Sequence, residues 1–275
     1  MIEINKNIIY QELKTKIDKI FSLPETCAVK IKNIVIEKTQ DKDYIYKMAK
    51  QAVEISYHDV LSDIDMSVMV KLSSKDTITK EQYVKMLDRY GITRDYCLGL
   101  VYIPENTMYR IILRNGMRYD LGFEFIYDDN VNNIIAISNT FIENDNEKWP
   151  LANIDRFWFV QVQALGKLYR NDFLISDHLA NININETLVQ QMVLRDIKYG
   201  TNFHRFGYNE ELEYLKADEN ECPYKRDNKI FNHIADKIYA SSITYDKLTL
   251  HFYPKYIGRK EALFDIWEYY AQAAK

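Results

Sequence analysis

Ser62-Asp63-Ile64-Asp65-Met66-Ser67 is the stretch of this chain whose residue types and spacing could do chemistry. Ile64, Met66, Val68 and Val70 alternate with Asp63, Asp65, Ser67 and Met69, which is the period of a strand. One face of that strand is apolar, and the other begins with two carboxylates whose Cα atoms lie about 6.5 Å apart. Two acids so placed can share a divalent cation between their oxygens. Without a cation they repel, so a metal or a polar cleft must offset their charge. A bare Asp-x-Asp also suits a solvated strand edge. The long apolar strand that follows, and a β-like run over 53–57 that contains Ser56, argue for a built site.

A third carboxylate belongs on a neighbouring strand. Met108 to Leu113 reads as a strand, Asn115-Gly116 as a tight hairpin turn with both residues at positive φ, and Arg118 to Ile126 as the returning strand. On that return, Tyr119, Leu121, Phe123 and Phe125 share one face, and Asp120, Gly122 and Glu124 share the other. Gly122 leaves room for a ligand to approach the backbone. Three aspartates on two strands suit phosphoryl and nucleotidyl transfer assisted by two metal ions, in which the ions activate a hydroxyl and neutralise the triphosphate. Glu124 and Glu54 are alternative acids near the centre, either one a candidate general base or a surface residue.

At these residues the chain resembles the nucleotidyltransferase superfamily, and within it most of all the aminoglycoside 6-adenylyltransferases that modify streptomycin. The similarity continues through Gly99 to Asn106, Arg118-Tyr119-Asp120-Leu121, Phe157 to Val160, Gly166 with Arg170, Asp177-His178, and Asp196 to Tyr208. It covers most of residues 50–215 at low identity. The resemblance implies Mg2+ held by Asp63, Asp65 and Asp120, ATP as donor, nucleotide contacts from Ser56, Ser62, Lys167 and Arg170, and a small hydroxylic acceptor such as an aminoglycoside. The superfamily's Gly-Ser pair, whose amides and hydroxyl hold phosphate, is here Ile55-Ser56, and the connection from Ser56 to Asp63 is short. That departure keeps a second reading open: a catalytically weak relative that binds nucleotide or a small ligand as a sensor or antitoxin-like partner.

Those residues must be positioned by the rest of the chain. Apolar residues at helical spacing occur over 7–22, 43–53 and 79–90, and strand candidates over 27–36, 52–57, 64–72, 98–103, 108–113 and 119–127. Beyond Pro150 the strand signals fade, and 154–170, 171–182, 185–198, 227–241 and 259–273 read as helices. The fold class expected is α+β: a nucleotidyltransferase-like mixed sheet with flanking helices over 1–150, and a helical bundle over 151–275. The polar stretch between Asn130 and Pro150 is the boundary. A cleft between such domains is a common ligand site, toward which Trp158, Lys167, Arg170 and Lys198 are the bundle's candidates.

Composition sets outer bounds. The 275 residues are 47% hydrophobic and 28% charged, enough for a sizeable core, and the net charge is −4. No basic run tracks a phosphate backbone, so nucleic acid is not an expected partner. Cys27, Cys97 and Cys222 are too scattered for a zinc site and read as reduced thiols. His58, in the loop before Asp63, is a solvated residue or a phosphate contact. Glu210, Glu211, Glu213, Asp218, Glu219 and Glu221 form an acidic segment that suits either solvent or a polycationic acceptor. Met1 to Lys6 does not read as a signal peptide and no apolar run approaches the length of a membrane span, so a cytoplasmic protein is expected; its oligomeric state is not legible.

Overall fold

The computed structural model describes residues 6–56, 62–72, 87–92, 96–103, 108–127, 154–200, 208–217 and 222–273. The chain divides into two compact units, Met1–Asn144 and Asp145–Lys275. The first is a mixed α+β unit and the second is helical.

In the first unit the order is α1 (Lys6–Phe21), β1 (Thr26–Ile31), β2 (Ile34–Glu37), α2 (Lys42–Ser56), β3 (Ile64–Leu72), β4 (Cys97–Ile103), β5 (Met108–Leu113) and β6 (Arg118–Tyr127). The six strands form one sheet in the order β2-β1-β3-β6-β5-β4. Only β3 and β6 run parallel; every other neighbouring pair is antiparallel. The alternation read from the sequence decides the faces. Ile64, Met66, Val68 and Val70 of β3, and Tyr119, Leu121, Phe123 and Phe125 of β6, are buried in one core with Val29, Ile31 and Ile36. Ile9, Leu13, Ile17 and Ile20 of α1 and Ile45, Ala49, Ala52 and Val53 of α2 complete that core. Each fully buried Val, Leu or Ile contributes roughly 1.5–3 kcal/mol, so the core face is fixed and the polar partners of the alternation are confined to the opposite face.

Local expectations are corrected in three places. The stretch 27–36 is two strands, turned at Lys32 and Asn33, where Lys32 takes φ 50°. Residues 52–56, expected as a strand, are the last turns of α2. Ala49, Ala52, Val53 and Ser56 recur there at helical spacing and are all buried, so helix packing prevails over the β-branched residues in the run. Finally, Asn115 does not take positive φ; only Gly116 does, at 86°. Gly116 N–H donates to Leu113 O at 2.9 Å and Leu113 N–H to Met117 O at 2.8 Å. This is a three-residue loop that ends in a left-handed glycine bulge. Of the helix expected over 79–90, residues 87–92 are described, and 87–89 are helical.

The second unit contains α3 (Ile154–Tyr169), α4 (Phe173–Tyr199), a short α5 (Glu213–Ala217), α6 (Lys229–Phe252) and α7 (Lys260–Ala273). The two helices expected over 171–182 and 185–198 are one, α4. Its Asn-rich middle has low intrinsic propensity, but Asn183 is buried and donates to Phe157 O of α3 at 3.2 Å. Asp172 caps α4 and Asn228 caps α6, each accepting from a first-turn amide. The core of this unit is aromatic, with Phe157 stacked on Tyr245 at 3.5 Å between centroids.

Candidate active site

The parallel pairing of β3 with β6 aligns the acids. Asp65 lies directly opposite Asp120, in the same register that sets Ile64 against Tyr119 and Met66 against Leu121. Neighbouring strands lie about 4.8 Å apart, so these two carboxylates leave the sheet side by side on the face away from the core. Asp63 precedes Asp65 by two residues, just outside the start of β3.

Basic groups interleave with the acids. On the far side of β6, Arg110 of β5 is the register partner of Asp120. Its Nε and Nη2 both donate to Asp120 Oδ2, at 3.1 and 3.0 Å. Arg118 Nη2 stands 3.9 Å from Asp63 Oδ2, with the arginine side chain 8% exposed. Lys32 reaches the cluster from the β1–β2 turn: its N–H donates to Asp65 O at 3.2 Å and its Nζ to Ser56 O at 3.4 Å. Two of the three carboxylates are therefore met by guanidinium groups, and the Lys32 ammonium acts on Asp65 only through its charge. None of these three bases was singled out from the sequence, because their proximity depends on strand register and on a turn.

Burial pushes the Asp120 carboxyl above the usual carboxylate range; Arg110 pulls it down, and Asp63 and Asp65 push it further up. Asp65 is raised as well, first by desolvation and then by Asp63, against the pull of Lys32 and Arg110. Asp120 is the better sheltered of the two, at 6% exposure, whereas Asp65 is exposed.

Carboxylate oxygens on adjacent strands are the kind of donor a hard divalent cation takes, but the side chains of Asp63 and Asp120 are turned to Arg118 and Arg110. Among the described residues no group of three or more His, Cys, Asp or Glu side chains is gathered closely enough to hold a metal ion.

Ser56 is a correction. It ends a helix, not a strand, and its hydroxyl is buried with no hydrogen-bond partner among the described residues. A helix C-terminus presents carbonyl oxygens, which disfavour phosphate; the residues from 57 to 61 that follow Ser56 lie outside the described residues. Ser62 is half-buried beside Asp63, and His58 lies outside the described residues. Glu54 is paired with Lys6 of α1 at 2.9 Å. Glu124 is on the same face as Asp120 but opposite Met69, four residues further along, or about 13 Å at strand rise. A depression of about 550 Å³ on this face, lined by Ala28, Met69, Lys71 and Ile126 among others, lies toward the far end of β3 from Asp65.

The candidates beyond residue 150 belong to the helical unit. Lys167, in the last turn of α3, donates to Asp172 Oδ2 at 3.3 Å. Arg170 is exposed just past the end of α3. Lys198 pairs with Glu210 at 3.2 Å. Trp158, expected to face a ligand, is fully buried and packs edge-on against Phe157 and Tyr245. Within the acidic segment Glu210 is met by Lys198 and Glu213 by Lys247 at 2.8 Å, and 218–221 lie outside the described residues. No helix among the described residues is long and apolar enough to cross a membrane.

Compared with models of known families and with curated proteins, the chain matches neither.

Proposed function

We propose that this chain is a cation-dependent nucleotidyltransferase. More particularly, we read it as an adenylyltransferase that moves AMP from ATP to a hydroxyl of a small acceptor of the aminoglycoside kind. The observation that carries the reading is the register: Asp65 and Asp120 stand opposite one another on adjacent parallel strands, with Asp63 two residues upstream. The resemblance of the surrounding segments to the aminoglycoside 6-adenylyltransferases supports it.

In this reading Asp63, Asp65 and Asp120 would hold Mg2+. When bound, the cation supplies charge to the phosphate oxygens and lowers the pKa of the attacking hydroxyl. The chain's own residues do the rest. Asp120, sheltered at the edge of the cluster, orients the acceptor hydroxyl and takes up its proton. The guanidinium groups of Arg110 and Arg118 and the ammonium of Lys32 provide positive charge where the departing pyrophosphate needs it. The strand pair β3–β6 holds the acids on a rigid support, which is what an in-line transfer requires.

The second reading, a ligand-binding relative with little turnover, draws on two observations. Asp120 is held by Arg110, and Ser56 is the last residue of a helix instead of the end of a strand. One experiment separates the readings. The protein is incubated with ATP labelled in the α-phosphate, Mg2+ and a panel of aminoglycosides and other polyols, and products are identified by mass spectrometry. An adduct heavier by one adenylyl group, absent in Asp65→Asn, supports transfer. Metal-dependent ATP binding by calorimetry without any adduct supports the second reading. No ATP binding under any condition removes the transferase and leaves only a relative that binds another small ligand.

A further inference from the structure

We propose that the helical unit carries a ligand site of its own, in which the guanidinium of Arg226 binds the carboxylate or phosphate group of a small organic anion whose flat apolar body lies along Tyr224. The inference does not depend on the acids of β3 and β6.

The site is a depression of about 660 Å³, a volume within the range of small-ligand pockets. It lies between the segment that leads into α6 and the exposed face of α7. Pro223, Tyr224 and Ala271 give it an apolar lining, and Lys225, Arg226 and Glu268 bring charge to it.

Arg226 is held in place without a ligand. Its backbone N–H donates to Asn232 Oδ1 at 2.7 Å, and Asn232 Nδ2 donates to its carbonyl at 2.8 Å. Its guanidinium carbon stands 4.5 Å from the ring centroid of Tyr169 and 4.8 Å from that of Phe231. Those two buried rings meet at 82°, so the guanidinium sits in the corner between them. Aromatic rings attract a cation but do not neutralise it. Among the described residues Lys225 takes Asp236 as its partner, at 3.4 Å, and no carboxylate is paired with Arg226. A half-buried, preorganised guanidinium at a depression is suited to the oxygens of a carboxylate or phosphate.

Tyr224 is equally fixed. Its ring is stacked on Trp267 of α7, at 4.8 Å and 19° between planes, and its hydroxyl donates to Phe264 O at 3.3 Å. Burial, and then Glu268, pushes that hydroxyl up to about 12, so the ring stays uncharged and does not repel an anion. One ring face is covered by Trp267, and the other is the flat surface offered to a ligand. Glu268 is exposed at the rim, where it accepts from Gln272 at 3.1 Å. It is the one nearby charge that opposes an anion among the residues lining the depression.

The test titrates the full chain by calorimetry with naphthoate and with naphthyl phosphate, which separate the two headgroups. Acetate is the anion without a flat body, and naphthylmethylamine is the flat body with the wrong charge. At least one aryl anion should bind saturably, with acetate and the amine at least about tenfold weaker. Arg226→Met should weaken the aryl anion about tenfold, the factor of one charge-assisted hydrogen bond, and Arg226→Lys by less. Arg226→Met also removes packing from two rings, so Glu268→Gln is the decisive variant: it leaves every contact of Arg226 in place and should tighten the aryl anion about twofold to fivefold. Lys225→Gln, whose charge is already met by Asp236, should stay within about twofold of the parent. No saturable binding of either aryl anion overturns the proposal. So does an amine that binds as well as the anions, which would mean apolar adhesion alone. Parental affinity in both Glu268→Gln and Arg226→Lys would place the ligand elsewhere and overturns it too.

Discussion

Removing Arg110 should destabilise the first unit in a way that depends on pH. In Arg110→Met the apolar stem is largely kept, and Asp120 loses the donors it now has at 3.0 and 3.1 Å. An orphaned buried charge can cost several kcal/mol. Here protonation limits that cost. Burial already raises the Asp120 carboxyl, and loss of Arg110, the main influence holding it down, raises it further. Above that raised pKa the full penalty of an unpaired carboxylate applies; below it the group takes up a proton and the penalty shrinks by about 1.4 kcal/mol per pH unit. The sign is as follows. A carboxyl raised in the folded state binds more protons folded than unfolded, so stability falls as pH rises from the ordinary carboxylate range, about 4, to the folded pKa. That fall is larger in the variant. Because Arg110 is 42% exposed, solvent screens part of the original pair, and the expected loss at pH 8 is about 1–2 kcal/mol. For a unit of this size that lowers Tm by roughly 2–8 °C, with the difference closing toward pH 4. The assay is scanning calorimetry or far-ultraviolet circular dichroism between pH 4 and 8. Tryptophan fluorescence would miss the event, because Trp149, Trp158 and Trp267 all lie in the second unit. A Tm difference that is constant with pH would show that only packing was lost, and would refute the argument.

Asp63→Asn and Asp65→Asn should each abolish adenylyl transfer, and Asp65→Asn should leave the cation-free protein as stable as the parent or more so at neutral pH, since a repulsion with Asp63 is relieved; transfer at parental rate in either one contradicts the site. Gln161→Leu should lower stability of the helical unit by about 1–3 kcal/mol. Its fully buried amide donates to Ile238 O, Ser241 and Ser242 at 3.1, 2.7 and 2.8 Å, and the change is read by tryptophan fluorescence in urea. Arg259→Met should cost the same unit more, about 3–5 kcal/mol, because it removes the buried guanidinium that lies 2.7 Å from the Asp155 carboxylate, itself 13% exposed; a Tm within 2 °C of the parent, about the shift of 1 kcal/mol, would count against it.

Much of the fold was legible because it is written in short periods. The alternations over 64–70 and 119–125 assign core and open faces without reference to any other strand, since neighbouring side chains in a strand must point oppositely. They place Asp65 and Asp120 on open faces, and the Asp-x-Asp spacing marks the chemistry. Residues 53–56 suit either period, since Val53 and Ile55 alternate with Glu54 and Ser56 while Ala49, Ala52, Val53 and Ser56 recur at helical spacing, and only the packing of α2 against α1 and the sheet selects the helix. The single α4 was hidden by its asparagines, whose preference is overruled by a buried hydrogen bond to another helix.

The partnership of Arg110 with Asp120 turned on one residue. A two-residue turn at Asn115-Gly116 would pair Arg114 with Met117, set Arg110 opposite Leu121 and turn its side chain into the core. The observed three-residue loop shifts the register by one, so that Arg110 meets Asp120 on the open face. The sequence by itself determined which residues carry charge and, on β3 and β6, which faces the acids take. The tertiary structure decided which charges meet, because the β3–β6 alignment and the hairpin register come from packing and backbone hydrogen bonds between segments far apart in the chain or turned on a single glycine.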